Sequence, residues 1–112
     1  MANLLISDDS VTIRLSIAEK AQALHRDLSL PRGAITGVRV VSSGTDEVHG
    51  FKLIGSSIPG VLMVGSFKGG EGSTFALCHG NGPGLVLDLT GQHYDRIVLT
   101  VDNPEQLASE LS

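Results

Sequence analysis

Cys78 and His79 are adjacent in the sequence, and they carry the most reactive pair of side-chain types in the chain. A thiol activated by an imidazole can act as a nucleophile, and both groups bind metals. The residues before them, however, have the apolar composition of a β-strand, in which neighbouring side chains point to opposite faces. We therefore predict that the two side chains do not meet and that Cys78 is a small buried apolar residue.

The remaining histidines and acids are dispersed along the chain. The four histidines are far apart and lack the short ligand spacings of zinc sites. Asp8 and Asp9 belong to a predicted turn, and Asp46 and Glu47 to a predicted loop, without the apolar surroundings that raise a carboxyl pKa for acid–base catalysis. The sequence thus predicts no catalytic residues, no metal and no cofactor. A converged histidine–carboxylate or histidine–cysteine cluster assembled by the fold would revive the alternative that the protein is an enzyme.

Two glycine-rich stretches have the composition of phosphate-binding loops. Residues 69–74 lack the lysine that reaches the phosphates, and Glu71 would repel an anion. Residues 80–84 precede a predicted strand, whereas a dinucleotide fingerprint begins a helix. No serine stands in the Gly-x-Ser-x-Gly pattern of a nucleophile elbow. Both stretches are interpreted as hairpin turns.

Charge and hydropathy exclude two classes of partner. The formal net charge is −4, and the eight lysines and arginines are scattered singly, whereas binding to nucleic-acid phosphates needs a basic face. No apolar run approaches the roughly 20 residues of a membrane helix, and the N-terminal residues lack the basic start of a signal peptide. We expect a cytoplasmic protein without nucleic-acid binding or an integral membrane segment, and the single cysteine, Cys78, fits a reducing compartment.

The elements that would position these residues are mainly short strands within one domain of residues 1–112. Apolar and polar residues alternate most regularly over 11–17, and 18–24 contains only good helix formers. Residues 55–60 are interpreted as a loop. Strand-like segments separated by glycine and proline lie at 4–6, 28–30, 35–41, 51–54, 61–67, 74–78, 85–89 and 96–101.

A C-terminal helix has the clearest local signals. Asn103 suits the N-cap and Pro104 the first helical position, and an apolar stripe of Leu107, Ala108 and Leu111 would dock the helix on a sheet. If around seven or eight of these segments form strands, followed by one helix, they favour an antiparallel sandwich or barrel, because parallel strands need crossover connections of about a dozen residues or more.

Several stretches resemble a family of small bacterial pleckstrin-homology-like proteins, common in actinobacteria. The similar stretches are 11–20, 28–38, 58–60, 65–67 and 94–105. The resemblance implies a mainly β fold, in which two near-orthogonal antiparallel sheets of about seven strands form a barrel capped by the C-terminal helix. The resemblance implies little about activity, because such proteins share no motif known to carry chemistry. Residues 69–72 lack the basic side chains expected in the glycine-rich turn of such relatives, which argues against anion binding there.

Apolar residues near predicted loops form the candidate contact surface. Phe51, Ile58 and Pro59 are the candidate interaction patch, although packing at the rim of a barrel would explain them as well. We therefore expect a non-catalytic protein-interaction or oligomerisation module, with a protein partner or a second copy bound through this patch or by addition of a strand to a sheet edge.

The alternative is a domain that binds a small ligand or a lipid headgroup in the mouth of the barrel. Arg14, Arg39 and Lys52 are the candidate cations for that ligand.

Overall fold

A computed structural model of the chain describes residues 3–23, 25–58, 60–70 and 72–111. Nine strands and two α-helices lie within these ranges. The helices are α1, Ile17–Ala23, between the second and third strands, and α2, Pro104–Leu111, after the last. In chain order the strands are β1 Asn3–Ile6, β2 Ser10–Arg14, β3 Leu28–Pro31, β4 Ile35–Val41, β5 Phe51–Ile58, β6 Leu62–Gly69, β7 Gly72–His79, β8 Gly84–Leu89 and β9 Arg96–Thr100.

The first three strands form an antiparallel sheet in the order β1-β2-β3. Its inner face carries Val11, Ile13 and Leu30, all buried in the main core. The predicted alternation therefore produces a strand, but the strand ends at Arg14. Ile17, assigned to the strand from its spacing, is the first residue of α1 and is 88% exposed.

The other six strands form the main sheet in the order β4-β8-β9-β7-β6-β5. All neighbours are antiparallel except β7 and β9, which run parallel with Phe75 opposite Ile97. The expectation of purely antiparallel sheets is therefore wrong. The parallel pair needs no crossover helix because β8 itself carries the chain back, and the β8–β9 hairpin then inserts β9 between β8 and β7.

Both faces of the main sheet are covered. Alternate residues such as Phe75, Leu77 and Leu99 point into the main core, which they share with the three-stranded sheet and both helices. The opposite face holds a second apolar cluster, which includes Val48 from the connection between β4 and β5. Its buried members are Phe67, Ala76, Cys78, Val86 and Val98.

The two helices follow the local signals of the sequence. α2 begins at Pro104, as predicted, and packs on β4 and β8 with Leu107, Ala108 and Leu111 against the main core. α1 confirms the predicted short helix, although Leu24 lies outside the described residues. It packs on β5 and β6.

Two further expectations are corrected. The strand count is nine rather than about seven, and neither sheet closes on itself, so each keeps two edge strands. The segment 55–58, interpreted as a loop, continues β5 through Gly55 to Ile58. It does so because β6 pairs with it along its whole length.

Candidate functional site

β5 forms one edge of the main sheet. Seven of its eight residues pair with β6 on one side, and within the described ranges no strand pairs with the other side. An edge strand of this length offers a row of backbone donors and acceptors to another strand. The strand is therefore a ready place for strand addition.

The side chains along this edge are unusually apolar for a surface. Phe51 is 81% exposed, and four further large apolar residues on or just after β5 are about half exposed or more. Singly exposed apolar residues are ordinary, but a contiguous group marks a contact site. We call this group the β5 surface; it consists of Phe51, Leu53 (60% exposed), Ile54 (49%), Ile58 (51%) and Val61 (55%).

The pairing with β6 shows which side chains of β5 share a face. Phe51, Ile54 and Ile58 lie opposite residues 68, 66 and 62 of β6, which alternate along one face of that strand. Leu53 has no partner because the register shifts between Lys52 and Ile54, so it is the extra residue of a bulge. Three apolar side chains are therefore presented together on one face.

α1 lies on this same face. Ser56, opposite the core residue Val64, donates a hydrogen bond from its hydroxyl to the carbonyl oxygen of Gln22, at 3.3 Å. The contact ties the end of α1 to the middle of β5. The edge strand is thus held in place from the inner face while its outer edge stays open.

A pair of glycines brings β5 and β6 unusually close together. Gly55 and Gly65 lie opposite each other with φ of 143° and 142°. A Cβ on Gly55 would overlap the carbonyl oxygen of Val64 and lie 2.7 Å from the Cα of Gly65. Only glycine fits this approach, which fixes the register of β5 on β6.

The other edge strands are less suited to strand addition. β1 and β3 have four residues each, and β3 ends in Pro31, which has no N–H to donate. β4 is packed by α2, and its Arg39 pairs with Glu47 at 3.3 Å and with Asp88 at 3.8 Å. Short strands, proline, charge and bulges are features that discourage pairing. β5 carries a charge at Lys52 and a bulge at Leu53, but it contains no proline and is twice as long as β1 or β3.

Of the predicted interaction patch, Phe51 and Ile58 lie at the two ends of β5. Pro59 lies outside the described residues. The predicted patch does not include Leu53, Ile54 and Val61, because 51–54 and 61–67 are identified in the sequence only as apolar, strand-like segments. Their apolar character was visible in the sequence, but their exposure follows from the edge position of β5.

The three candidate cations are placed on different strands. Arg14 is on β2 in the three-stranded sheet, whereas Arg39 and Lys52 are on the two opposite edges of the main sheet. Arg14 lines an open cleft of about 360 Å³ with Asn3, Leu15, Ser16 and Glu19. Arg39 and Lys52 do not line it, so the cleft holds one of the three predicted cations.

One histidine–carboxylate pair, unforeseen from the sequence, is assembled by the fold. Oε2 of Glu19 lies 2.6 Å from Nε2 of His79, and the carboxylate is buried. Its Oε1 accepts a hydrogen bond from the backbone N–H of Ser16 at 2.8 Å, while the Ser16 hydroxyl accepts one from the N–H of Glu19 at 3.1 Å. This reciprocal arrangement is a capping box at the start of α1.

The contacts of this pair attach α1 to the sheet. Burial is the largest influence on Glu19 and acts to raise its pKa, but the hydrogen bonds from Ser16 and His79 and the charge of the imidazole together lower the pKa. The backbone N–H of His79 donates to the Thr100 hydroxyl at 2.9 Å, which anchors the end of β7 to β9. The two carboxylate oxygens of Glu19 are both engaged in structural hydrogen bonds, Oε1 with Ser16 at the start of α1 and Oε2 with His79 on β7.

Cys78 does not join this pair. It points to the opposite face of β7, into the second apolar cluster, where burial raises the pKa of its thiol to about 12. The prediction that the Cys78 and His79 side chains do not meet is confirmed. A buried, protonated thiol is a poor nucleophile.

The part of the chain that the structure describes lacks both a metal-binding cluster and a membrane-spanning helix. Residues 3–23, 25–58, 60–70 and 72–111 contain no group of three or more histidine, cysteine or acidic side chains placed to hold a metal ion. No helix in those ranges has the length and apolar character required to cross a bilayer.

No protein-family model, curated protein or solved structure matches the chain.

Proposed function

We propose that the protein is a non-catalytic interaction module, and that its partner adds a β-strand to the open edge of β5. The observation that carries this proposal is an eight-residue edge strand bearing a group of exposed apolar side chains. Main-chain hydrogen bonds along the edge would provide affinity, and the alternating side chains would provide specificity.

The size of the β5 surface supports a specific contact. Its five side chains are each about half exposed or more. A partner that covered them together with the β5 backbone would form a small interface, at the low end of the size range of specific complexes. The expected association is therefore specific but reversible.

A charge on the β5 surface tests the proposal. Ile58→Lys places an ammonium group on the contact face, and we expect it to abolish self-association measured by light scattering or capture of a partner by the immobilised protein. Leu5→Lys is the matched control, because Leu5 is 52% exposed on β1 and Ile58 is 51% exposed on β5. Equal behaviour of the two variants, or a wild-type protein that neither associates nor captures a partner, would refute the proposal.

Ligand binding is the second candidate, and the cleft beside Arg14 favours it. A small anion could be held there by the guanidinium group, although buried Glu19 in the same cleft would repel it. Inorganic phosphate and vesicles with anionic headgroups are the probes. A rise in melting temperature that is lost in Arg14→Ala would support this function, and no rise would exclude these anions.

The resemblance to pleckstrin-homology-like proteins remains a proposal about fold and origin. Two mainly antiparallel sheets followed by a C-terminal helix support it, whereas nine strands in open sheets weigh against a barrel of seven. We further propose that the protein is cytoplasmic and does not bind nucleic acid. The unpaired, buried Cys78 is in keeping with a reducing compartment.

A further inference from the structure

We infer that the strand added to β5 is the β5 of a second copy of the chain, in antiparallel orientation across a two-fold axis at Gly55. This inference rests on the proposed function, because it uses the same edge and the same apolar side chains. It adds the identity of the partner and the register of the pairing. Two six-stranded sheets would join into one continuous sheet.

The bulge in β5 selects the register. Leu53 has no partner on β6, so the seven other residues of β5 alternate between the two faces of the sheet. Their middle residue is Gly55. A two-fold axis there places each of the seven opposite a residue of the second copy that points to the same face.

This register gives compatible pairs along the strand. Phe51 lies opposite Ile58 of the second copy, and symmetry repeats that apolar pair at the other end of the contact. Lys52 lies opposite Ser57 of the second copy, so the one charged residue of β5 does not face its own symmetry mate. Ile54 lies opposite Ser56 of the second copy. Apolar cross-strand pairs stabilise a sheet, and like charges placed directly opposite destabilise it.

Other registers of the β5–β5 pairing bring less compatible residues together. Shifts by one residue place opposed side chains on different faces of the sheet, which strand pairing does not allow. A shift by two residues in one direction puts Phe51 opposite Ser56 and leaves Ile58 outside the paired segment. The same shift in the other direction leaves Phe51 and Lys52 outside it. The Gly55-centred register is the one that pairs both ends of β5.

The assembly also ends at two copies. A two-fold contact uses the same edge of both chains, so no free β5 edge remains for a third copy. The far edge of each main sheet is β4, which is packed by α2 and carries the paired Arg39. A dimer rather than a fibre is the expected product.

Disulfide trapping tests both the partner and the register. Lys52→Cys and Ser57→Cys are made separately, since both residues are exposed and the substitutions leave the core intact. Residues directly opposite in an antiparallel pair have Cα atoms about 4.5–5.5 Å apart, within disulfide range. In this register two copies of residue 52 are about 13 Å apart along the strand, which is outside that range. Cys78 can remain because it is buried.

A mixture of the two variants under mild oxidation is expected to give on the order of tenfold more covalent dimer than either variant alone. Wild-type protein is expected to double its mass as its concentration rises through the micromolar range, the weak end of the affinities of specific interfaces. Equal cross-linking by Lys52→Cys alone would overturn the register and the inference with it. A wild-type protein that stays monomeric and a mixture that does not cross-link would also overturn the inference.

Different outcomes refute the proposed strand addition to β5 and the inference that the added strand is a second β5. If the protein is monomeric but Ile58→Lys loses the capture of another protein that Leu5→Lys retains, the β5 edge binds a different partner, and only the inference of self-pairing is refuted. If neither variant changes any association, both proposals are refuted. Hydrogen exchange on the wild-type protein is a second measurement that needs no substitution. Protection of β5 amides that rises with protein concentration supports self-pairing, and protection that does not change contradicts it.

Discussion

The carboxylate of Glu19 and the imidazole of His79 meet at 2.6 Å, although 60 positions separate the two residues in the chain. Glu19 is in the first turn of α1 and His79 is the last residue of β7. The pair therefore fastens a seven-residue helix, too short to be stable alone, to the main sheet. Since α1 also contacts β5 through Ser56, the position of the open edge depends on this attachment.

Replacing Glu19 by glutamine should make the free energy of unfolding depend less on pH in the acidic range. The pKa of Glu19 in the folded protein is below its ordinary value of 4.5, so its stabilising effect is fully present above about pH 4.5 and is lost as the pH falls through the folded pKa. We expect Glu19→Gln to reduce the free energy of unfolding by about 1–3 kcal/mol at pH 7, with the difference shrinking below pH 4.5.

Urea unfolding between pH 3 and pH 7 measures this effect. Glu105→Gln is the control, because Glu105 is also in the first turn of a helix but is exposed. A difference between wild type and Glu19→Gln that is the same at pH 3 and pH 7 would show that the carboxylate charge does not fasten α1.

Alanine at Gly65 should loosen β5. The φ of 142° is unfavourable for any residue with a Cβ, and that atom would overlap the carbonyl oxygen of Ile54. We expect Gly65→Ala to reduce the free energy of unfolding by about 2–3 kcal/mol. Gly70→Ala is the control, since a Cβ there meets nothing within 4 Å. Denaturant unfolding that places both variants within about 0.5 kcal/mol of wild type would contradict the close approach of β5 and β6.

The Cys78 thiol should react with a disulfide reagent only when the protein opens. Burial and a thiol pKa of about 12 both suppress the thiolate that reacts. At pH 8 we expect labelling of wild type to be slow and to accelerate with urea as unfolding does. Lys52→Cys provides the comparison, with one rapid and one slow equivalent of label. Rapid labelling of the wild-type thiol in native buffer would be inconsistent with its place in the second apolar cluster.

The Tyr94 hydroxyl should contribute to stability through Ser66. The two hydroxyl oxygens are 2.7 Å apart, and Tyr94 is buried against His25 and Phe75. We expect Tyr94→Phe and Ser66→Ala each to cost about 1 kcal/mol, and the double variant to cost less than the sum of the two. Thermal unfolding of the three variants forms the cycle. Strict additivity would mean that the hydroxyls do not interact in solution.

The sequence predicted those secondary-structure elements that are determined by residues within or next to the element itself. α2 begins where Asn103 and Pro104 favour a helix start, and its apolar stripe docks as expected. α1 begins at Ile17, one residue before the predicted start at Ala18, and the spacing of Ser16 and Glu19 is that of a capping box. Alternation continued through Ile17 and indicated a longer strand, but helix capping outweighs one further apolar position.

Features that depend on distant partners were not predictable. Gly55 and the two serines after it have loop composition, and they become strand because Gly65 allows β6 to approach. The parallel pairing of β7 with β9 and the meeting of Glu19 with His79 are set by sheet order, which no local pattern encodes. The sequence therefore pointed to Phe51 and Ile58, which are exposed, but the full extent of the exposed apolar side chains along β5 was not predictable from it.

The position of β9 has a consequence for the order of folding events. β9 is the last strand in the chain, yet it lies in the middle of the main sheet and joins β8 on one side to β7 on the other. Until residues 96–100 have been synthesised, the β5-β6-β7 half and the β4-β8 half of that sheet share no strand pairing. The apolar inner edges of β7 and β8 are therefore open in every shorter nascent chain, and such edges promote aggregation. A chain that stops before β9 loses the link between the two halves rather than a peripheral strand, so a C-terminal truncation that removes β9 should prevent folding altogether.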